Sequence, residues 1–206
     1  MEDEKQRMLV GISGASGAIL GIRLLEALRS LNIESHLVLS SNARFTIALE
    51  TDWKVEDVLG LSTSAYDNLD VGAPIASGSF VNVGMVIIPC SIKTLSAIAN
   101  SYSADLLTRA ADVTLKEGRP LILVVREAPL HPGHLRLMNL AAESGAVIFP
   151  PVPAFYTKPQ SLSEVVDNIV GRILLRMGVA NKLFKRWIDN TPAYQRFGEA
   201  EDPFRR

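Results

Sequence analysis

The chain predicts an α/β protein: one domain built on a parallel sheet with helices on both faces. Three observations carry that prediction. Short β-type runs alternate with longer stretches whose apolar residues recur on a helical period, the pattern of strands joined by crossover helices. The strand candidates Met85–Ile88 and Leu121–Val125 are apolar without interruption, as strands covered on both faces are. The first strand passes into its helix through the small residues Ser13-Gly14-Ala15-Ser16-Gly17, a turn at which α/β proteins bind anions. At 206 residues the chain is large enough for such a sheet in a single domain.

The elements follow in order. Met8–Ile12 reads as the first strand, and Ala18–Leu31 as a helix ending near Asn32. His36–Leu39 is a second strand, followed by short helices over Ala43–Glu50 and Lys54–Leu59. Pro74–Ala76 carries a weak strand pattern ahead of the strong strand Met85–Ile88. Ser91–Asn100 and Ala104–Lys116 read as helices, the second stopped by Gly118 before Pro120. Leu121–Val125 is a strand, His134–Ser144 a helix closed by Gly145, and Val147–Phe149 the last strand. Ser161–Met177 opens on Ser161-Leu162-Ser163-Glu164, a capping arrangement for a final helix. The domain is expected over 1–190. Residues 191–206, with two prolines and little periodicity, are expected as a tail or an arm on a neighbouring subunit.

Composition narrows the function classes. A formal net charge of −1 gives no support for a nucleic-acid binder. Hydrophobic residues make up 48%, yet the longest apolar runs fall far short of the roughly 18–20 residues of a membrane span. The apolar excess is therefore assigned to buried strands and subunit contacts. Met1-Glu2-Asp3-Glu4-Lys5 is charged and shows no signal-peptide pattern. One cysteine, Cys90, excludes an intrachain disulfide and fits the reducing cytoplasm.

Ligands of open parallel sheets sit beyond the carboxyl ends of the strands, where strand order reverses. The segments there are Ser13–Gly17, Ser40-Ser41, Pro89–Thr94, Arg126-Glu127 and Pro150–Tyr156. The first has the spacing G-x-x-G-x-x-G, which is neither the dinucleotide fingerprint nor a P-loop, and it lacks the P-loop lysine. Hydroxyls at Ser13 and Ser16 point to a phosphate held by neutral donors; close strand–helix packing is the other use of such glycines. Ser40 stands where NAD enzymes commonly carry an acid, which weakens a dinucleotide reading, and a serine there also serves as a helix cap. Ser91 and Thr94 offer hydroxyls at a helix start, while Lys93 adds charge or is simply solvated. Cys90 reads as a small buried residue. Arg126-Glu127 places two charges directly after five apolar residues, so they pair with a ligand or with each other. Arg109 and Lys116 share a helix face, either for an anion or for water. Tyr156, beyond a proline-rich wall, can donate to a phosphate. Arg172 lies in an apolar stripe and by itself reads as a snorkelling surface side chain. His131-Pro132-Gly133-His134 has poor zinc spacing, and no Asp-rich run is present for magnesium, so no metal is expected.

Seven motifs in fixed order carry a resemblance. They are Gly11–Gly17, Leu49-Glu50-Thr51, Ser77–Phe80, Pro89–Leu95, Arg109–Asp112, Arg126–Leu130 and Pro150–Tyr156. Over roughly residues 8–190 the chain resembles the UbiX-type flavin prenyltransferases, of the superfamily that also holds flavin-dependent cysteine decarboxylases. The resemblance implies a three-layer, Rossmann-like domain assembled as a homododecamer. It implies transfer of a dimethylallyl group from dimethylallyl monophosphate to reduced FMN, giving prenylated FMN for UbiD-type decarboxylases, for example in ubiquinone biosynthesis. By motif, Gly14, Ala15, Ser16, Ser40, Ser91, Ile92, Lys93, Thr94 and Arg126 fall to FMN. Tyr156 and Arg172 fall to the prenyl phosphate, with Arg109, Lys116 and Glu127 close to it. Glu50 and Ser16 match positions that move protons near the flavin. Ala128 departs from the usual threonine, a change of packing more than of chemistry. An FMN-dependent decarboxylase of the same fold and a non-catalytic flavin carrier are the competing readings. The set Arg109, Lys116, Tyr156 and Arg172 separates them, since neither needs a second phosphate site.

Overall fold

The computed structural model describes residues 6–184. The chain divides into two compact units, Met1–Val152 and Pro153–Arg206. In the first, β1 (Arg7–Ile12), β2 (Glu34–Leu39), β3 (Ser64–Tyr66), β4 (Met85–Cys90), β5 (Leu121–Val125) and β6 (Val147–Ile148) form one sheet, ordered β3-β2-β1-β4-β5-β6. Every neighbouring pair runs parallel. The order grows outward from β1 on one side and from β4 on the other, so winding reverses between them. The helices of this unit are α1 (Ala18–Ser30), α2 (Ser41–Glu50), α3 (Val55–Leu61), α4 (Ile92–Ala99), α5 (Leu106–Lys116) and α6 (Pro132–Glu143).

The period of two along each strand distributes the core. Leu9, Val38, Met85, Ile87, Leu121 and Leu123 cluster with Leu95 and Ile98 of α4, Leu107 and Ala110 of α5, and Ala141 of α6. The alternate residues Met8, Val10, Ile12, Val86 and Ile88 are equally buried and belong to the opposite face, which α1 crosses with α2 and α3 packed on it. Every residue of β4 and β5 is buried, which is why both read as unbroken apolar runs. The expected α/β, doubly wound, parallel fold is the one observed.

Two expectations change. Pro74–Ala76 is a 3-10 turn and not a strand; Pro74 opens it, having no N–H to give to a ladder. The third strand is instead Ser64–Tyr66, which pairs with His36–Val38 and is too short to display a period. Helix α6 also starts earlier than expected, at Pro132, a favoured first helical residue.

The second unit holds a 3-10 turn, Phe155–Thr157, and α7 (Leu162–Arg176). Ser161 caps α7 by accepting from the Glu164 N–H at 3.2 Å, while the Glu164 carboxylate takes the Gln160 N–H at 2.9 Å. After α7, the Asn181 amide donates to Gly171 O at 2.9 Å. The tail expected over 191–206 lies outside the described residues.

Candidate functional site

At the carboxyl edge of the sheet a cavity of about 520 Å³ opens between the ends of β1 and β4. Its lining brings together Gly14, Ser40, Ser91, Lys93 and Thr94, five of the nine residues that resemblance assigns to flavin. Local folding explains their gathering. Ser40 ends β2 and caps α2, its Oγ accepting the Ala43 N–H at 3.1 Å. Ser91 ends β4 and caps α4; its Oγ accepts the Thr94 N–H at 3.3 Å and donates to Thr94 Oγ1 at 3.1 Å. Gly14 lies so close to α2 that a Cβ there would stand 2.3 Å from Asn42 Cβ, so no side chain fits. Two helix starts with hydroxyl caps therefore face one polar crevice, as a phosphate and a heterocycle's polar edge require. Asn42, Asn100, Tyr102, Asp105 and Thr108 also line the cavity. Sequence reasoning missed these, because they sit on helix starts and the α4–α5 turn rather than at strand ends. A hydroxyl- and amide-rich cleft of this volume fits FMN.

The glycine-rich turn after β1 meets a carboxylate of the chain itself. Gly17, at φ +104°, precedes α1, and its N–H donates to Glu50 Oε2 at 2.8 Å; the Ala18 N–H reaches the same oxygen at 3.3 Å. The Ser16 hydroxyl also hydrogen-bonds this carboxylate, and Arg126 adds a favourable field. Burial works against ionisation, but these hydrogen bonds and the arginine outweigh it and hold the Glu50 carboxyl below the ordinary range. The start of α1 is thus capped by an anion of the chain itself. Ser13, expected to hold phosphate, is fully buried and donates its hydroxyl to Pro89 O at 2.9 Å.

Arg126 and Glu127 part company. The Glu127 carboxylate turns back to the Ala128 N–H at 3.1 Å, while Arg126 is exposed at the end of β5 and acts on Glu50. Ser16 and Arg126 thus both act on Glu50, which caps the start of α1. Ala15 is buried and Ile92 half-buried, at the starts of α1 and α4 respectively, so they present backbone rather than chemistry. Arg109 pairs with Asp112 at 3.0 Å one turn into α5. Lys116 closes α5 and pairs with Glu117 at 2.6 Å. From Leu107, which lines the cavity, to Lys116 is about 14 Å at the helical rise of 1.5 Å per residue. Within one chain Lys116 therefore belongs to the opposite edge of the sheet. Tyr156 is half-buried in the 3-10 turn of the second unit, and Arg172 is exposed on α7 of that unit. His131 is a helix cap, its Nδ1 accepting the Gly133 N–H at 3.0 Å. Cys90 is buried, and burial pushes its thiol pKa well up.

The flavoprotein family model matches residues 1–174. The flavin prenyltransferase UbiX of Escherichia coli K12 is 58% identical over 185 residues, covering 88% of this chain and 98% of that protein. The chain belongs to the flavoprotein family, among its UbiX flavin prenyltransferases. Its fold agrees with that membership. AnUbiX (PadA1), solved in complex with FMN and dimethylallyl pyrophosphate, superposes with a TM-score of 0.88 at 48% identity, covering 89% of this chain and 98% of that one. A dodecameric FMN-dependent UbiX-like decarboxylase from E. coli O157:H7 gives 0.86 at 45%, covering 88% and 99%. The flavoprotein expected from the motifs is the one found.

Proposed function

We propose that this UbiX-type chain joins the dimethylallyl group of dimethylallyl monophosphate to reduced FMN, with the flavin held in the crevice between β1 and β4. The observation that carries the reading is the cavity itself, where Gly14, Ser40, Ser91, Lys93 and Thr94 meet at two helix starts. Lys93 and the α2 and α4 amides supply the donors a flavin phosphate needs; Gly14, Ala15, Ser16, Ile92 and Arg126 complete the flavin contacts. Reduced flavin, when bound, supplies an electron-rich ring as nucleophile. Tyr156 and Arg172 hold the prenyl phosphate, stabilising negative charge as the carbon–oxygen bond breaks. Arg109, Lys116 and Glu127 act close to that phosphate, and Lys116, at the far end of α5, does so from a second copy of the chain.

Glu50 accepts three hydrogen bonds and is held ionised, so its proton affinity is low. The departing phosphate, with a second pKa near 6, is the better base for the proton lost at ring closure. Ser16, bonded to Glu50, keeps its hydroxyl oriented beside the crevice. Oligomerisation, up to a dodecamer, agrees with large apolar side chains left in water, among them Leu49 at 70% exposure and Leu69 at 83%. Among the described residues no helix is long and apolar enough to cross a membrane. Work in the cytoplasm and delivery of the product to a UbiD-type decarboxylase complete the reading. The test is anaerobic incubation with reduced FMN and dimethylallyl monophosphate. A flavin mass gain of one prenyl unit is expected; tight FMN binding without that gain overturns the proposal. In the same assay Arg172→Ala should raise KM for the donor and leave FMN affinity nearly unchanged.

A further inference from the structure

Ser13 has no exposed surface, yet it spans the two walls of the crevice. Its Oγ donates to Pro89 O at 2.9 Å and accepts the Ser91 N–H at 2.7 Å, and its own N–H donates to Pro89 O at 3.1 Å. These partners are 76 and 78 positions away along the chain. They meet where the sheet stops supplying contacts of its own. The last β1–β4 register pair is Gly11 with Ile87, and the β4–β5 register shifts between Ile87 and Cys90. Beyond that point α1 leaves for one face and α4 for the other, so the backbones must diverge. Gly14, the next residue after Ser13, lines one wall of the cavity; Ser91 and Thr94 line the other.

We propose that Ser13 is a positioning residue for flavin binding, a hydroxyl clasp that sets the separation of the Gly14 wall from the Ser91–Thr94 wall. It does not line the cavity; it acts through the residues that do. The hydroxyl serves as donor and acceptor at once, a pairing that alanine removes on both sides, leaving the Ser91 N–H without its partner. The two walls then hold their spacing less tightly, and a bound flavin must order them at the expense of affinity. This inference rests on the reading of the cavity as the flavin site.

The test compares three variants by FMN titration well below their melting temperatures and by anaerobic kinetics. Ser13→Ala should weaken FMN binding about tenfold and raise KM for FMN in step, with kcat at saturating FMN and KM for the donor little changed. Thr114→Val is the control for loss of a buried hydroxyl elsewhere: Thr114 donates to Ala110 O within α5 at 2.7 Å and should lower Tm without moving FMN affinity. Ala97→Trp fills the cavity and should abolish FMN binding. If Ala97→Trp abolishes binding while folded Ser13→Ala stays within twofold of the parent, the clasp is refuted and the flavin site stands. If Ala97→Trp binds FMN normally, the flavin site falls and the clasp with it. Should Ser13→Ala not fold, Ser13→Cys, which keeps only a weak donor and acceptor, is read by the same criteria.

Discussion

Replacing Glu50 by glutamine tests whether α1 is capped by a charge. The side chain keeps its size and one carbonyl oxygen, and loses only the negative charge that faces the Gly17 and Ala18 amides at 2.8 and 3.3 Å. An exposed carboxylate at a helix N-terminus contributes about 0.3–1 kcal/mol through the dipole, and hydrogen bonds to a charged acceptor are stronger than those to a neutral one. Because Glu50 is solvent-exposed, the upper end of that range, about 1 kcal/mol, is the expected loss at pH 7. For a chain of this length that is a Tm lower by about 2–4 °C. The pH dependence fixes the cause. The folded-state carboxyl titrates below its ordinary value, so its contribution is complete above that value and disappears as pH falls through the lower, folded one. Thermal unfolding of parent and variant followed from pH 7 into acid should show the difference at neutral pH and its shrinkage as the folded carboxyl becomes protonated. Equal stabilities at pH 7, or a deficit that persists unchanged in acid, would refute the charge-capping argument.

Three further outcomes follow from packing and burial. Gly21→Ala puts a Cβ 2.5 Å from Ile88 O, a backbone atom that cannot yield, and 2.6 Å from Ile12 Cδ1; a loss of about 3 kcal/mol by denaturant unfolding is expected, and less than about 1 kcal/mol would mean α1 lifts off the sheet freely. Burial, aided by Arg7 and opposed by Glu34, lowers the His36 pKa, so the unfolded chain binds the extra proton first and stability declines as pH falls from 7 towards 5; a His36→Gln variant should show a flatter decline over that range, and equal slopes would remove His36 as the cause. The Cys90 thiol, wholly buried with its pKa pushed up, should react with a thiol reagent at least about 100-fold more slowly in the native protein than in denaturant, and comparable rates would contradict its burial.

The sheet was legible because its central strands are covered twice. Met85–Ile88 and Leu121–Val125 show no polar alternation, and the structure buries every residue of the strands that contain them. Helix starts were legible where a hydroxyl marks them, as Ser91 and Ser161 do. What escaped were pieces whose placement depends on partners distant in sequence. Ser64–Tyr66 is a strand only because His36–Val38 offers it an edge, and Pro74–Ala76 turns because proline removes a ladder donor. Asn42, Tyr102 and Asp105 reach the cavity through the course of α2 and of the turn into α5, which no local pattern announces.

The glycine-rich turn shows the limit most sharply, since its sequence announced an anion and could not name it. Small residues ahead of a helix mean open amides, and open amides attract negative charge. Whether that charge comes from a ligand or from the chain depends on a residue 33 positions beyond Gly17, at the last turn of α2. Glu50 fills the place. Glu50 thus caps α1 with a charge, whereas α2 and α4, whose starts line the cavity, are capped by the neutral hydroxyls of Ser40 and Ser91. The same carboxylate stands within the field of Arg126 and holds Ser16. One residue therefore supplies the negative charge that the small-residue turn calls for, and it does so from the far end of α2.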